Sequence, residues 1–384
     1  MFGSYNLIFT EMTFDSFHLH PALQKSIALK KYTAATPIQE QSIPAILTGS
    51  DLLATAQTGT GKTASFLIPI FQKLVNQKIN RPQLRVLVLV PTRELAVQVE
   101  EEGRQLAQFL PLKFALVFGG VSTFHQIKQI KSGVDVIIAT PGRLLDLIQQ
   151  KVIHLSTLTT LVLDEADRML DMGFSKDIHK ILKYIPGDSQ KLLFSATLPP
   201  EIQDIAKNLL YKPVHITIEK KPEQRNIEQA VYYVNKDSKK ALLRHVIKEQ
   251  SMKNVLVFAR TKHGADKIVK DLVKNGISAE AIHSNKSQNA RLKALHNFKE
   301  NATRVLVATD IASRGIDIQH LPYVINYEMP QSTETYTHRI GRTGRAGNLG
   351  IALSFCDPEE KKQMKNISKI YAGTLQVKTH PFNS

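Results

Sequence analysis

The stretch Leu52–Thr63, LLATAQTGTGKT, carries the most recognisable chemistry in the chain. Leu52 to Ala54 reads as a strand end. Thr55, Ala56, Gln57, Thr58, Gly59, Thr60 and Gly61 form a loop, and the apolar run after Lys62 and Thr63 reads as a helix. Glycines let backbone N–H groups turn inward onto phosphates, the lysine reaches the β- and γ-phosphates, and the threonine hydroxyl can hold Mg²⁺. The positive end of the helix faces the same anion. Ala56 stands where the strict phosphate-loop pattern has glycine. A Gly/Thr-rich strand-to-helix turn is the plainer alternative for this stretch taken alone.

Asp164-Glu165 follows the apolar run TLVL, as the partner of a phosphate loop should. Asp164 can hold Mg²⁺ and Glu165 can orient and deprotonate an attacking water; the alternative is a solvated turn. HRIGRTGR presents Arg339, Arg342 and Arg345 with glycines between them. That density of glycine predicts a loop opening a helix, with the arginines aimed at one target, against a basic solvated face. Gln39 has the amide geometry to pair with adenine, or it caps a helix; Tyr32 can stack on the base. Thr92, Arg93, Thr140, Arg143, Thr309 and Arg314 all follow strands, where they suit phosphate–sugar contacts or serve as helix caps. Asn235-Lys236-Asp237 is one residue short of a guanine-specifying NKxD element, which leans towards ATP. His18 and His20 lack a second cluster of ligand type, and Arg168–Phe174 reads as a packed helix.

These residues need a scaffold. Continuous apolar runs at Arg85–Val90, Val134–Ala139, Leu158–Leu163 and Lys191–Phe194 each end in a polar motif, and helical stretches such as Glu94–Phe109 lie between them. That pattern predicts an α/β fold with a parallel sheet covered on both faces and ligands at the carboxyl ends of its strands. An amphipathic helix is expected over Phe14–Leu29, with another opening at Pro37. Tyr211–Asn226, with two prolines and a charge run, reads as a linker. The alternation then restarts at Val255–Phe258, Ala279–Ile282, Val305–Ala308, Val324–Tyr327 and Ile351–Phe355. The expected organisation is an extension over 1–13, a first domain over 14–211, a linker over 212–226, a second domain over 227–367 and a tail without clear organisation over 368–384.

A length of 384 residues suits two such domains. No apolar run approaches the roughly 18 residues of a membrane span, and the N-terminal MFGSYNLIF makes a poor signal peptide. One cysteine, Cys356 in the run IALSFC, excludes an internal disulfide and reads as a buried inert thiol. These features point to the cytoplasm. A formal charge of +16 attracts polyanions, nucleic acid first; an anionic membrane surface or simple solubility are the other readings.

The order TPIQ, AQTGTGKT, PTRELA, GG, TPGR, DEAD, SAT, VFART, ATDIASRGID and HRIGRTGR, from about Phe14 to Phe355, resembles the DEAD-box RNA helicases. HSNKSQNARLKAL is similar to the RhlE-type bacterial subgroup. The resemblance implies two tandem RecA-like domains with ATP between them and single-stranded RNA across both. It implies a monomeric core with no membrane partner, and local duplex unwinding or ribonucleoprotein remodelling. It assigns adenine to Gln39 and Tyr32, phosphate and Mg²⁺ to Lys62, Thr63 and Asp164, base catalysis to Glu165, and arginine fingers to Arg342 and Arg345. Asp317 would contact the nucleotide. Ser195, Ala196 and Thr197 would couple hydrolysis to strand separation, with Asp167 and His338 joining the domains. RNA would lie on Pro91, Thr92, Arg93, Gly119, Gly120, Thr140, Pro141, Arg143, Arg260, Thr309, Asp310 and Arg314. Lys31 stands where the family usually has glycine, and Asn285 where many members have aspartate. Two rivals remain alongside the helicase: an ATP-gated RNA clamp, and a phosphate-loop kinase or transferase, for which the second domain offers no identifiable acceptor pocket.

Overall fold

The computed structural model describes residues 12–57, 59–77, 83–218, 227–310, 321–344, 349–371 and 373–382. Thr58, Arg314, Asp317 and Arg345, residues 1–11 of the expected extension and residues 219–226 of the expected linker lie outside them. The chain divides into two compact units, Met1–Glu219 and Lys220–Ser384.

The first unit holds a sheet of β1 (Leu52–Thr55), β2 (Val86–Leu89), β3 (Phe114–Val117), β4 (Val136–Ala139), β5 (Thr160–Leu163), β6 (Gln190–Ser195) and β7 (Val214–Thr217). Their order is β3-β4-β2-β5-β6-β1-β7, and every pair is parallel. Strand side chains alternate between faces, so one apolar run serves two cores. Ala54, Val86, Val88, Val162 and Phe194 pack with Phe66 and Phe71 on one side. Leu53, Leu87, Leu89, Leu161 and Leu193 pack with Leu144, Ile178 and Ile202 on the other. Because the strands run parallel, the polar residues that follow them emerge at one edge of the sheet.

The second unit repeats the plan with β8 (Ile227–Tyr233), β9 (Val255–Phe258), β10 (Ala279–Ile282), β11 (Val305–Ala308), β12 (Tyr323–Asn326), β13 (Gly350–Cys356) and β14 (Leu375–Lys378). The order is β10-β11-β9-β12-β13-β8-β14, again parallel throughout. Cys356 is buried, and burial pushes its thiol up to about 11, which leaves it inert. No described helix is long and apolar enough to cross a membrane.

Three local expectations differ from the structure. The expected linker contributes β7, which pairs with β1 in full register from Leu52↔Val214 to Thr55↔Thr217. The expected tail contributes β14, paired with β8. Both are edge strands with polar, mostly uncovered faces, so neither shows the apolar run of a central strand. The helix expected over Phe14–Leu29 is a 3₁₀ turn, Phe14–Phe17, and a helix, Pro21–Leu29. His18, at φ 49°, and Pro21 separate them.

Candidate functional site

At the start of the helix that begins at Pro37, Gln39 Oε1 accepts from the Thr36 amide at 2.9 Å. The same amide group donates through Nε2 to the carbonyl of Gly61 at 3.2 Å. The capping reading of Gln39 therefore holds, and one side chain also ties that helix to the phosphate loop. Gly61 sits at φ +92°, and a Cβ there would lie 2.6 Å from Gln39 Nε2. Strain of this kind costs about 1–3 kcal/mol. Gly61→Ala is thus expected to lower the melting temperature and abolish nucleotide binding together, measured by thermal unfolding with and without ATP.

Across the loop, buried Lys62 donates from Nζ to the Ala56 carbonyl at 3.0 Å. The Ala56 amide donates to the Ser195 carbonyl at 3.0 Å, so the loop starts in contact with the end of β6. Thr60 Oγ1 donates to the Gln57 carbonyl at 2.8 Å. Lys62 and Thr63 open the helix Lys62–Asn76. Tyr32 stacks on Phe14 with ring centroids 6.1 Å apart and donates its hydroxyl to Glu102 Oε1 at 2.8 Å. Burial first, then Glu102, raises the Tyr32 phenol well above its usual range. Lys31 has φ +57°, which explains why glycine suits that position.

β5 delivers Asp164 and Glu165, both buried, to the same sheet edge. Asp164 Oδ1 accepts from the Glu165 amide at 2.9 Å. Burial pushes the Asp164 carboxyl up to about 6, with nearby Lys62 pulling the other way. In the folded protein ionisation of Asp164 is therefore disfavoured, and at neutral pH it detracts from stability, a penalty relieved as pH falls. A cation beside it would remove that penalty, so the donor set suits a hard divalent ion. Glu165 adopts φ 52°, ψ 49°, the left-handed region, which costs an L-residue about 1–2 kcal/mol. Its carboxylate forms an ion pair with Arg168, three residues on. Asp167 Oδ2 accepts from the Thr197 amide at 2.9 Å and from Thr197 Oγ1 at 2.8 Å. The Asp167 amide donates to Ser195 Oγ at 3.3 Å, and Ser195 Oγ donates to the Thr197 carbonyl at 2.7 Å. Asp167 thus joins the SAT segment, Ser195-Ala196-Thr197, within the first unit.

Further along that edge, Pro91-Thr92-Arg93 follows β2 and Thr140-Pro141 follows β4. Thr92 Oγ1 accepts from the Leu95 amide at 3.3 Å, so it caps the helix Arg93–Leu106. The Arg93 guanidinium lies against Gly119 and Gly120, and a side chain on Gly120 would collide with it. Gly120 also needs its positive φ of 77°. Arg143 Nη1 donates to the Val121 carbonyl and to Gln126 Oε1, both at 3.4 Å. The Thr140 amide donates to the Val117 carbonyl at 2.9 Å. The segments after β2, β3 and β4 are therefore tied into one patch.

In the second unit the arginine segment departs from expectation. HRIGRTGR closes a helix instead of opening one: Thr333–Ile340 is capped by Ser332 and ends at Gly341. A serine before a helix and a glycine after it favour that placement. Arg339 is buried and faces inward. It donates to Asp310 Oδ1 and Oδ2 at 2.6 and 2.8 Å, to Asn326 Oδ1 at 3.1 Å and to the Glu328 carbonyl at 2.8 Å, over the Phe258 ring. Asp310, which follows Thr309, is engaged by this pair. Arg260 Nη2 donates to Glu360 Oε1 at 2.5 Å and the Arg260 amide donates to Glu328 Oε2 at 2.6 Å. Lys239, fully buried, lies between Asp357 Oδ2 at 3.0 Å and Glu360 Oε2 at 2.5 Å. Sequence reasoning missed Lys239, Glu360 and Arg168. The Asp357–Glu360 capping box and the spacing of Glu165 to Arg168 were the signals available.

The comparisons bear on this geometry. The DEAD/DEAH box helicase family matches residues 36–205, and the helicase conserved C-terminal domain matches 238–347. A curated relative from Bacillus subtilis, DEAD-box ATP-dependent RNA helicase CshA, is 42% identical over 93% of this chain and 72% of its own length. The chain belongs to the DEAD-box RNA helicase family. A second DEAD-box relative, ATP-dependent RNA helicase CshA of Limosilactobacillus reuteri, is 41% identical over 94% of this chain and 72% of its own length. Among solved structures, S. cerevisiae Dbp5 bound to RNA and ADP BeF3 is similar with a TM-score of 0.82 at 29% identity, covering 96% of this chain and 95% of its own. A DEAD box protein from Methanococcus jannaschii is 39% identical with a TM-score of 0.53, covering 96% and 99%. The two parallel sheets are those of tandem RecA-like domains.

Proposed function

We propose that this DEAD-box protein is an RNA-stimulated ATPase of the cytoplasm that holds single-stranded RNA on both units and opens short duplexes locally. The observation that carries the reading is the hydrogen-bonded chain at one sheet edge, from Lys62 and Ala56 through Ser195 and Thr197 to Asp167. It joins the phosphate loop to the DEAD segment in the unit that a DEAD-box fold requires. ATP is bound by Gln39, Tyr32 and the Ala56–Thr63 loop, with Asp317 from the second unit. Thr63 and Asp164 would hold Mg²⁺, which would supply positive charge beside the phosphates. Glu165 takes the proton of the attacking water. Arg342 and Arg345 place guanidinium charge on the transferring phosphoryl. His338 and Asp167, with Ser195 and Thr197, couple hydrolysis to strand separation. RNA lies along the patch of Arg93, Gly119, Gly120 and Arg143, and along Arg260 and Thr309, through its phosphates and sugars.

Strand displacement tests this reading. A short RNA duplex with a single-stranded extension is expected to open when ATP is added and to stay closed with ADP. ATP-dependent RNA retention with no strand release would support a clamp in place of a helicase.

A further inference from the structure

The Glu165 carboxylate is not free in this structure; the Arg168 guanidinium holds it. We infer that Arg168 is a positioning residue that parks Glu165 on its own helix in the RNA-free protein, restraining hydrolysis until RNA binds. The inference rests on the role proposed for Glu165.

Three observations carry it. Arg168 lies on the short helix Ala166–Asp171, one turn beyond Glu165, so the ion pair forms within a single turn of chain. Both groups are largely covered, with side-chain exposures of 19% for Arg168 and 6% for Glu165, so water screens the pair weakly. The Arg168 amide donates to Asp167 Oδ1 at 3.1 Å, while Asp167 Oδ2 is held by Thr197. The backbone that carries Arg168 is therefore anchored to the Ser195–Thr197 segment. The ion pair holds Glu165 Oε2 toward its own helix and so fixes the direction in which the carboxylate points. Movement of Thr197 shifts Asp167, and with it the first turn that carries Arg168. The parked base is thereby tied to the segment whose expected role is coupling.

The test is ATP turnover of Arg168→Gln with and without saturating single-stranded RNA. RNA-free turnover is expected to rise about 3- to 10-fold while RNA-saturated turnover stays within about twofold, so that RNA stimulation shrinks. Arg168→Met, equally compatible with a helix, is expected to give the same rise, and Arg168→Lys a smaller one. A general structural lesion lowers both rates and cannot produce a gain. RNA-free turnover that is unchanged or lower in both Gln and Met variants, with wild-type stimulation intact, overturns the role of Arg168 alone. A wild-type protein without RNA stimulation removes the functional reading beneath it.

Discussion

Glu165→Gln is expected to lose at least ~10²-fold in ATP turnover while ATP and RNA affinities stay near wild type. The amide keeps the shape of the side chain and the left-handed backbone at φ 52°, but it takes no proton from water. A loss of ~10² corresponds to about 2.7 kcal/mol of barrier. Because ATP is bound and not cleaved, RNA release should slow. RNA dissociating in ATP as fast as from wild type, or a nucleotide affinity loss as large as the rate loss, would contradict the role given to Glu165.

Lys239→Ala is expected to destabilise the second unit by about 3–5 kcal/mol. Lys239 is 1% exposed and meets two buried carboxylates, Asp357 and Glu360. Removing the ammonium leaves Glu360 with Arg260, itself half in solvent, and takes from Asp357 the cation it meets. Glu360 Oε1 also accepts from the Met329 amide at 3.0 Å, so the damage reaches the segment after β12. Thermal or urea unfolding should show a lowered transition for this unit. Lys239→Met should be milder, since it fills the volume but still removes the charge. Unfolding of the Ala variant within about 1 kcal/mol of wild type would show that the network is not what holds this end of the sheet together.

Legibility in the sequence followed burial. β2, β4, β5 and β6 lie buried on both faces, so their apolar runs and the polar residues ending them could be read directly. β7 and β14 could not, because an edge strand with one covered face carries little apolar signal. The strand-to-helix turn at Ala56–Thr63 and the Asp164-Glu165 pair could be located because each directly follows a buried strand. Gln39 was ambiguous for a sound reason: its amide both caps a helix and holds Gly61. The inward turn of Arg339 was hidden, because its partners Asp310, Asn326 and Glu328 come from elsewhere in the chain. Long-range ion pairs such as Lys239 with Glu360 leave no periodic trace at all.

Steady-state ATP turnover at low salt, measured with and without saturating single-stranded RNA, tests the central claim most directly. Turnover is expected to be low alone and to rise about tenfold or more with RNA, a barrier reduction of about 1.4 kcal/mol or greater. A rate indifferent to saturating RNA would contradict the coupling of ATP hydrolysis to RNA on which the account depends.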